Sequence, residues 1–222
     1  MRVVCWLWRG REFWKDAARY DGEHVAVLAS MLRRNGGHSL TCIHDGGFVL
    51  PAGVDAIRMP ADVAALPDYL PKLWAWSPML QGLIAERFAS IDLDVVLLGD
   101  VAQLVAGPEP VRLWNGAKYE PYNTSLFAVE PGFGHEVWES YTPDRLAAAR
   151  ARAEYWTGDQ SWVAHVLGLG MPTFSEADGV VRYRRSLHRS GPPAGALAAF
   201  LCGPYEPRSE GGCAEWIRQA WR

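Results

Sequence analysis

The sequence predicts an α/β fold with a mostly parallel central sheet flanked by helices, and three observations carry that prediction. Short apolar runs of strand length alternate with segments of helical period. Glycine-rich stops close them, as at Asn35-Gly36-Gly37 and Asp45-Gly46-Gly47. One apolar segment, Arg87 to Val105, is interrupted by Asp92-Leu93-Asp94 before it resumes as Val95, Val96, Leu97 and Leu98. Carboxylates at the end of a buried strand stand where open α/β sheets bind ligands.

Taken in order, Val3 to Leu7 is a strand-length apolar run ending in Trp8-Arg9-Gly10. Glu23 to Asn35 carries Val25, Leu28, Ala29 and Leu32 at helical spacing. Ser39 to His44 reads as the second strand, and Asp55 to Met59 as the third before the Pro60 break. Pro67, Pro71 and Pro78 punctuate the next stretch, so Tyr69 to Ser77 is expected as a loop or short turns, followed by a helix from Pro78 to Glu86. Phe88 to Asp92 is the central strand. Val111 to Asn115 and Thr124 to Val129 are two more, and His135 to Tyr141 is helical. Arg145 to Tyr155 reads as a helix with a solvated basic face, and Asp159 to Leu167 as another. Val180 to Arg184 and Leu197 to Cys202 are late strands, and Glu215 to Trp221 is a closing helix.

The 222 residues, 49% of them hydrophobic, suffice for a sizeable core in one domain, and no repeat or long linker divides them. A net charge of −3 gives no global attraction for nucleic acid or an anionic membrane, so such a partner would need a local patch. Cys5, Cys42, Cys202 and Cys213 are widely spaced, without the paired spacing of zinc or redox sites, and are read as reduced. No apolar run approaches the roughly 20 residues of a membrane span. The apolar run after Met1-Arg2 is too short for a signal sequence. A soluble, cytoplasmic protein is the expectation.

In a strand, alternation puts Asp92 and Asp94 on the same side, where like charges raise each other's pKa unless a cation lies between them. Oxygen ligands of this kind suit Mg²⁺ or Mn²⁺. The alternative is local: Asp94 opens a turn and Asp92 caps it.

The order of the pieces carries more than any one of them. The first strand ends near Trp8-Arg9-Gly10, the second ends Cys42-Ile43-His44-Asp45, Lys72-Leu73-Trp74 precedes a helix, and Ile91-Asp92-Leu93-Asp94 follows. Then come Tyr122-Asn123-Thr124-Ser125-Leu126 and Gly158-Asp159-Gln160. In this order they resemble the GT-A (nucleotide-diphospho-sugar transferase) fold, and most of all its family-eight-like bacterial glycosyltransferases. The resemblance covers most of the chain. It implies a nucleotide-binding half over residues 1–105 and an acceptor and sugar half over 106–222.

It also implies roles. Asp92 and Asp94 would hold Mn²⁺ or Mg²⁺ against the diphosphate of a sugar nucleotide, a UDP-sugar being the expected donor, with Asp92 also touching the ribose. Trp6, Trp8, Arg9 and Asp45 would lie near the base, and Lys72 near phosphate or ribose. Asn123 would face the donor sugar, and Asp159 and Gln160 the reacting centre. The local alternatives remain open at this point: Trp6 as core, Lys72 as a surface lysine, Asn123 as the cap of a turn, and Asp159 as a helix N-cap.

One departure matters. Where relatives of this kind carry a late His-Gly-x-x-Lys segment, this chain has Phe200-Leu201-Cys202-Gly203-Pro204-Tyr205-Glu206. Cys202 takes the position of a third protein ligand for the metal, although a thiolate is a soft donor for Mn²⁺ or Mg²⁺. Glu206 would repel a diphosphate. Arg182, Arg184, Arg185 and Arg189, with His188, form a cationic stretch that suits a diphosphate or an anionic acceptor, nucleic acid included, or is simply a solvated charge run. The acceptor itself is left open between glycan, small molecule, protein and nucleic acid. Metal-assisted sugar transfer with retention is the leading expectation. A noncatalytic nucleotide- or glycan-binding module and a metal-dependent phosphodiesterase are the rivals.

Overall fold

The structure, a computed structural model, describes residues 1–9, 20–117, 120–152, 158–183, 187–201 and 213–222. The first half runs β1 (Arg2–Leu7), α1 (Gly22–Arg34), β2 (Ser39–His44), β3 (Asp55–Arg58) and α2 (Ala61–Ala64). A 3-10 helix (Leu70–Trp76), α3 (Pro78–Ile84), β4 (Phe88–Ile91), β5 (Val95–Leu97) and α4 (Ala102–Val105) complete it. The second half has the hairpin β6 (Val111–Ala117) and β7 (Glu120–Val129), then α5 (His135–Glu139), α6 (Pro143–Arg152) and α7 (Gly158–Leu167). It ends with β8 (Thr173–Phe174), β9 (Val180–Tyr183), α8 (Leu187–Ser190), β10 (Ala198–Leu201) and α9 (Glu215–Ala220).

The main sheet has seven strands in the order β3-β2-β1-β4-β7-β6-β8. β1 pairs in parallel with β2 and with β4, β2 pairs in parallel with β3, and β7 is antiparallel to both β4 and β6. Because β1 is buried on both faces, its alternating side chains feed two cores. Val3, Cys5 and Leu7 meet Val25, Leu28, Met31 and Leu32 of α1 on one side. Val4 and Trp6 meet Trp74, Trp76, Leu80 and Phe127 on the other. Asp21 caps α1 by accepting from the Glu23 and His24 backbone N–H groups, which fixes where the chain enters that helix.

The chain lays β2 and β3 to one side of β1 and then returns to place β4 on the other. Such a reversal opens a crevice at the carboxyl ends of β1 and β4. Immediately beyond β4 the Val95 amide donates to the Asp92 carbonyl at 3.3 Å, and the turned chain leaves the main sheet. β5 then joins a second, three-stranded sheet, antiparallel to β10, which is parallel to β9. Asp92 and Asp94 therefore sit at the joint between the two sheets.

Two expectations are corrected. The loop or short turns expected over Tyr69 to Ser77 are a buried 3-10 helix, because Leu70, Leu73, Trp74 and Trp76 all enter the second core. Asn123 does not follow a turn but lies inside β7, which begins four residues earlier than expected.

Behind that 3-10 helix, Gln81 is 1% exposed and fully hydrogen-bonded. Its Nε2 donates to the carbonyls of Ala75 and Phe133, and its Oε1 accepts from the Gly132 amide and from His135 Nε2. Gln81→Ala strips partners from several buried groups at once. We expect it to lower stability by about 2–4 kcal/mol, measured by urea denaturation; a loss below about 0.5 kcal/mol would mean that water replaces the amide.

Candidate active site

Four elements deliver polar side chains to the crevice. The 3-10 helix contributes Lys72, the turn after β4 contributes Asp92 and Asp94, the middle of β7 contributes Thr124, and the first turn of α7 contributes Asp159. Lys72 is 4% exposed, so it is no surface lysine, and its Nζ donates to Asp92 Oδ1 at 2.8 Å and lies 3.9 Å from Asp159 Oδ2. Asp159, 3% exposed, accepts at that same Oδ2 from the Thr124 hydroxyl at 2.5 Å. Across the cluster, the Tyr20 hydroxyl donates to Asp94 Oδ2 at 3.1 Å.

Burial acts against both ions of the Lys72–Asp159 pair, but not equally. For Lys72, burial alone favours the neutral amine, yet the charges of Asp92, Asp159 and Asp94 and the hydrogen bond to Asp92 outweigh it, and the pKa is raised above its ordinary value. The group is an ammonium at any physiological pH. For Asp159, burial pushes the carboxyl up, Lys72 and Thr124 pull it down, Asp92 adds repulsion, and the outcome is a raised pKa.

The charges of Asp92, Asp159 and Asp94 all act on Lys72. Carboxylate oxygens of this kind suit a hard divalent cation. Asp92 and Asp94 are the two of the three that are partly open to solvent. No group of three or more His, Cys, Asp or Glu side chains is arranged to hold a metal among the described residues. Substrate oxygens and water would fill the rest of such a shell.

The remaining expected residues divide. The Arg9 amide donates to Asp45 Oδ2 at 2.9 Å, its guanidinium donates to the Gly47 carbonyl at 3.0 Å, and its charge lies 5.4 Å from the Phe48 ring centroid. These contacts tie the ends of β1 and β2 into one rim, on which Trp8 is half-buried. Asp45 Oδ1 and Gln160 Oε1 are buried atoms without a hydrogen-bond partner among the described residues. Trp6 is a correction: it is 3% exposed in the second core, with its indole N–H donated to Ser90 Oγ at 2.8 Å, and offers no face to a base. Asn123 is partly exposed, and its Oδ1 accepts from the Ser125 amide at 2.8 Å.

Arg182 packs its guanidinium 5.2 Å from the Trp114 ring centroid rather than standing wholly in solvent, and Trp114 in turn stacks on Phe200 at 3.9 Å. Cys202, Glu206, Arg184, Arg185 and the His188 side chain lie outside the described residues. β10, which precedes Cys202, runs antiparallel to β5 with Phe200 opposite Val95, so this strand ends beside the Asp92–Asp94 turn. Tyr20 and the tie from Thr124 to Asp159 were not foreseen. A hydroxyl in a strand or before a helix carries no local sign of a partner tens of residues away.

The α/β fold with this crevice, strand order and acidic turn after β4 is a GT-A-like fold, shared with solved glycosyltransferases. The chain is similar to the galactosyltransferase LgtC, solved with donor and acceptor sugar analogs, at TM-score 0.62 and 12% identity over 99% of this chain and 93% of that one. It is also similar to the glycosyltransferase GlyE of Streptococcus pneumoniae TIGR4, at TM-score 0.60 and 11% identity over 99% of this chain and 59% of that one. No family model and no curated protein sequence matches the chain. No helix among the described residues is long and apolar enough to cross a membrane.

Proposed function

We propose that the protein is a glycosyltransferase that moves a sugar from a nucleotide diphosphate donor, a UDP-sugar first among them, to an acceptor, with retention of configuration. The observation that carries this reading is the buried Lys72 joined to Asp92 and set beside Asp159 at the switch-point crevice of this fold. Residues 1–105 form the nucleotide half on this reading, and residues 106–222 the sugar and acceptor half.

Asp92 and Asp94 are the residues that would hold Mn²⁺ or Mg²⁺. A bound ion of that kind neutralises charge on a leaving diphosphate. Trp8, Arg9 and Asp45 form the rim expected to take the base, and the Asp45 oxygen that lacks a partner is an acceptor for a ligand N–H. Lys72 holds Asp92 in place and lends positive charge on the side where a diphosphate would lie. Asp159, whose pKa burial raises while Lys72 and Thr124 pull it back down, would accept from hydroxyls of the donor sugar and, when ionised, stabilise positive charge as the glycosidic bond breaks. Gln160, with its unpartnered buried oxygen, lines the same centre.

The test is incubation with UDP-, GDP- and dTDP-sugars in the presence and absence of Mn²⁺. Release of nucleoside diphosphate from one donor, strongly stimulated by the metal, is the expected result. Tight binding without turnover would make the protein a binding module, and nucleotide-independent cleavage of phosphodiesters would make it a phosphodiesterase.

A further inference from the structure

The β7 strand is irregular at the point where it enters the site. Leu113 of β6 lies opposite Phe127, yet the next residue, Trp114, lies opposite Asn123, so Thr124, Ser125 and Leu126 have no partners on β6. On its other side the same stretch is held firmly: Leu126 pairs with Ile91, and the Ser125 carbonyl accepts from the Asp92 amide at 3.0 Å. A bulge of this kind re-aims a side chain. The one re-aimed here is Thr124, which is 2% exposed and whose hydroxyl meets Asp159 Oδ2 at 2.5 Å.

Burying a hydroxyl in this way is worthwhile only if it finds an acceptor, and the acceptor it finds is the carboxylate beside Lys72. One oxygen of Asp159 is thus fixed from two directions, by the Thr124 hydroxyl and by the Lys72 ammonium 3.9 Å away. Two fixed points on one oxygen set the rotation of the whole carboxylate. The bulge also links the two halves of the site, since neighbouring residues on it hold Asp159 through a side chain and Asp92 through the backbone.

From this geometry we propose that Thr124 is a positioning residue, acting through Asp159. It presents that carboxylate to the donor sugar in a single orientation and keeps it from turning toward Asp92 or the ammonium alone. The proposal rests on the glycosyltransferase reading and adds to it the device that orients the sugar-facing carboxylate. On the proposed reading the nucleotide lies against the rim formed by Arg9 and Asp45, so the effect of this device is expected on the sugar.

The test uses Thr124→Val, which keeps the shape and removes the donor, and Thr124→Ser, which keeps the donor. Donor turnover is followed together with calorimetric binding of UDP-galactose and of UDP alone, or of the corresponding pair for whichever nucleotide the wild type accepts. In the Val variant kcat falls by about 10–100-fold, the affinity advantage of the sugar nucleotide over the bare diphosphate shrinks, and binding of the bare diphosphate stays unchanged. Thr124→Ser recovers most of both losses. In an Asp159→Asn background, Thr124→Val adds little, because the two residues act as one unit.

A Val variant with wild-type kcat and wild-type sugar discrimination overturns the inference and leaves the glycosyltransferase reading intact. So does a loss that Ser fails to recover, or one that multiplies in full with Asp159→Asn, either of which marks Thr124 as packing only. A wild type that neither binds nor turns over any sugar nucleotide overturns the reading itself and this inference with it. A wild type that binds without turnover still decides the matter through the difference between sugar nucleotide and bare diphosphate.

Discussion

Replacing Lys72 by Met removes turnover and lowers stability by about 2–4 kcal/mol at neutral pH. Breaking a buried ion pair by deleting one partner usually costs about 3–5 kcal/mol, because the other charge is left without compensation. The lower figure applies here for two reasons. Asp92 is partly exposed and recovers some hydration, and Asp159 can escape its ionised state by taking up a proton. The size of Met leaves the second core filled, so the loss reports charge rather than a cavity.

The sign of the pH dependence follows from the same group. Asp159 already has a raised pKa in the folded protein, and loss of the ammonium raises it further. A carboxyl with a folded pKa above its unfolded value favours the fold fully below the unfolded value of about 3.9 and loses that contribution as pH rises through the folded value. The variant should therefore come closest to wild type in acid and fall furthest behind at neutral pH and above. Urea denaturation of both proteins between pH 4 and 8 reads this directly, and adding Asp159→Asn should restore part of the stability without restoring turnover. A Met variant as stable as wild type at pH 7 would show that Lys72 neutralises nothing that matters to the fold.

The second large effect is expected from Asp94→Asn. Turnover should drop by at least about 100-fold, since the Lewis-acid stabilisation that a carboxylate-held ion supplies is worth several kcal/mol. Mn²⁺-dependent nucleotide binding should weaken along with it. Stability should hardly move, because an Asn carbonyl can still accept from the Tyr20 hydroxyl that now meets Asp94 Oδ2. Thermal melting, nucleotide titration with and without Mn²⁺, and donor turnover together separate these outcomes. Wild-type turnover with wild-type metal dependence in the variant would remove Asp94 from the metal site.

What the sequence determined by itself is the set of pieces and their order. Apolar runs and helical spacing placed β1, α1, β2, β3, β4 and α7 to within about a turn of their observed ends. Asp92-Leu93-Asp94 marked the end of the central strand before any pairing was visible. These features depend on neighbours a few residues away, and local propensity and alternation are the information a chain carries at that range.

Tertiary structure decided the partners. Alternation along β1 put Trp6 and Cys5 on opposite faces, but only the packing of Trp74 and Trp76 beneath the sheet made the Trp6 side a core. Nothing local separates a strand that continues a sheet from one that begins another, and β5 went to the second sheet because β10, about a hundred residues later, supplied its edge. The site was decided in the same way. Lys72 meets Asp92 across 20 residues, Thr124 meets Asp159 across 35, and Tyr20 meets Asp94 across 74. Each of these contacts exists because burial leaves a polar group no solvent to bind, so it must take whichever partner the fold brings within reach.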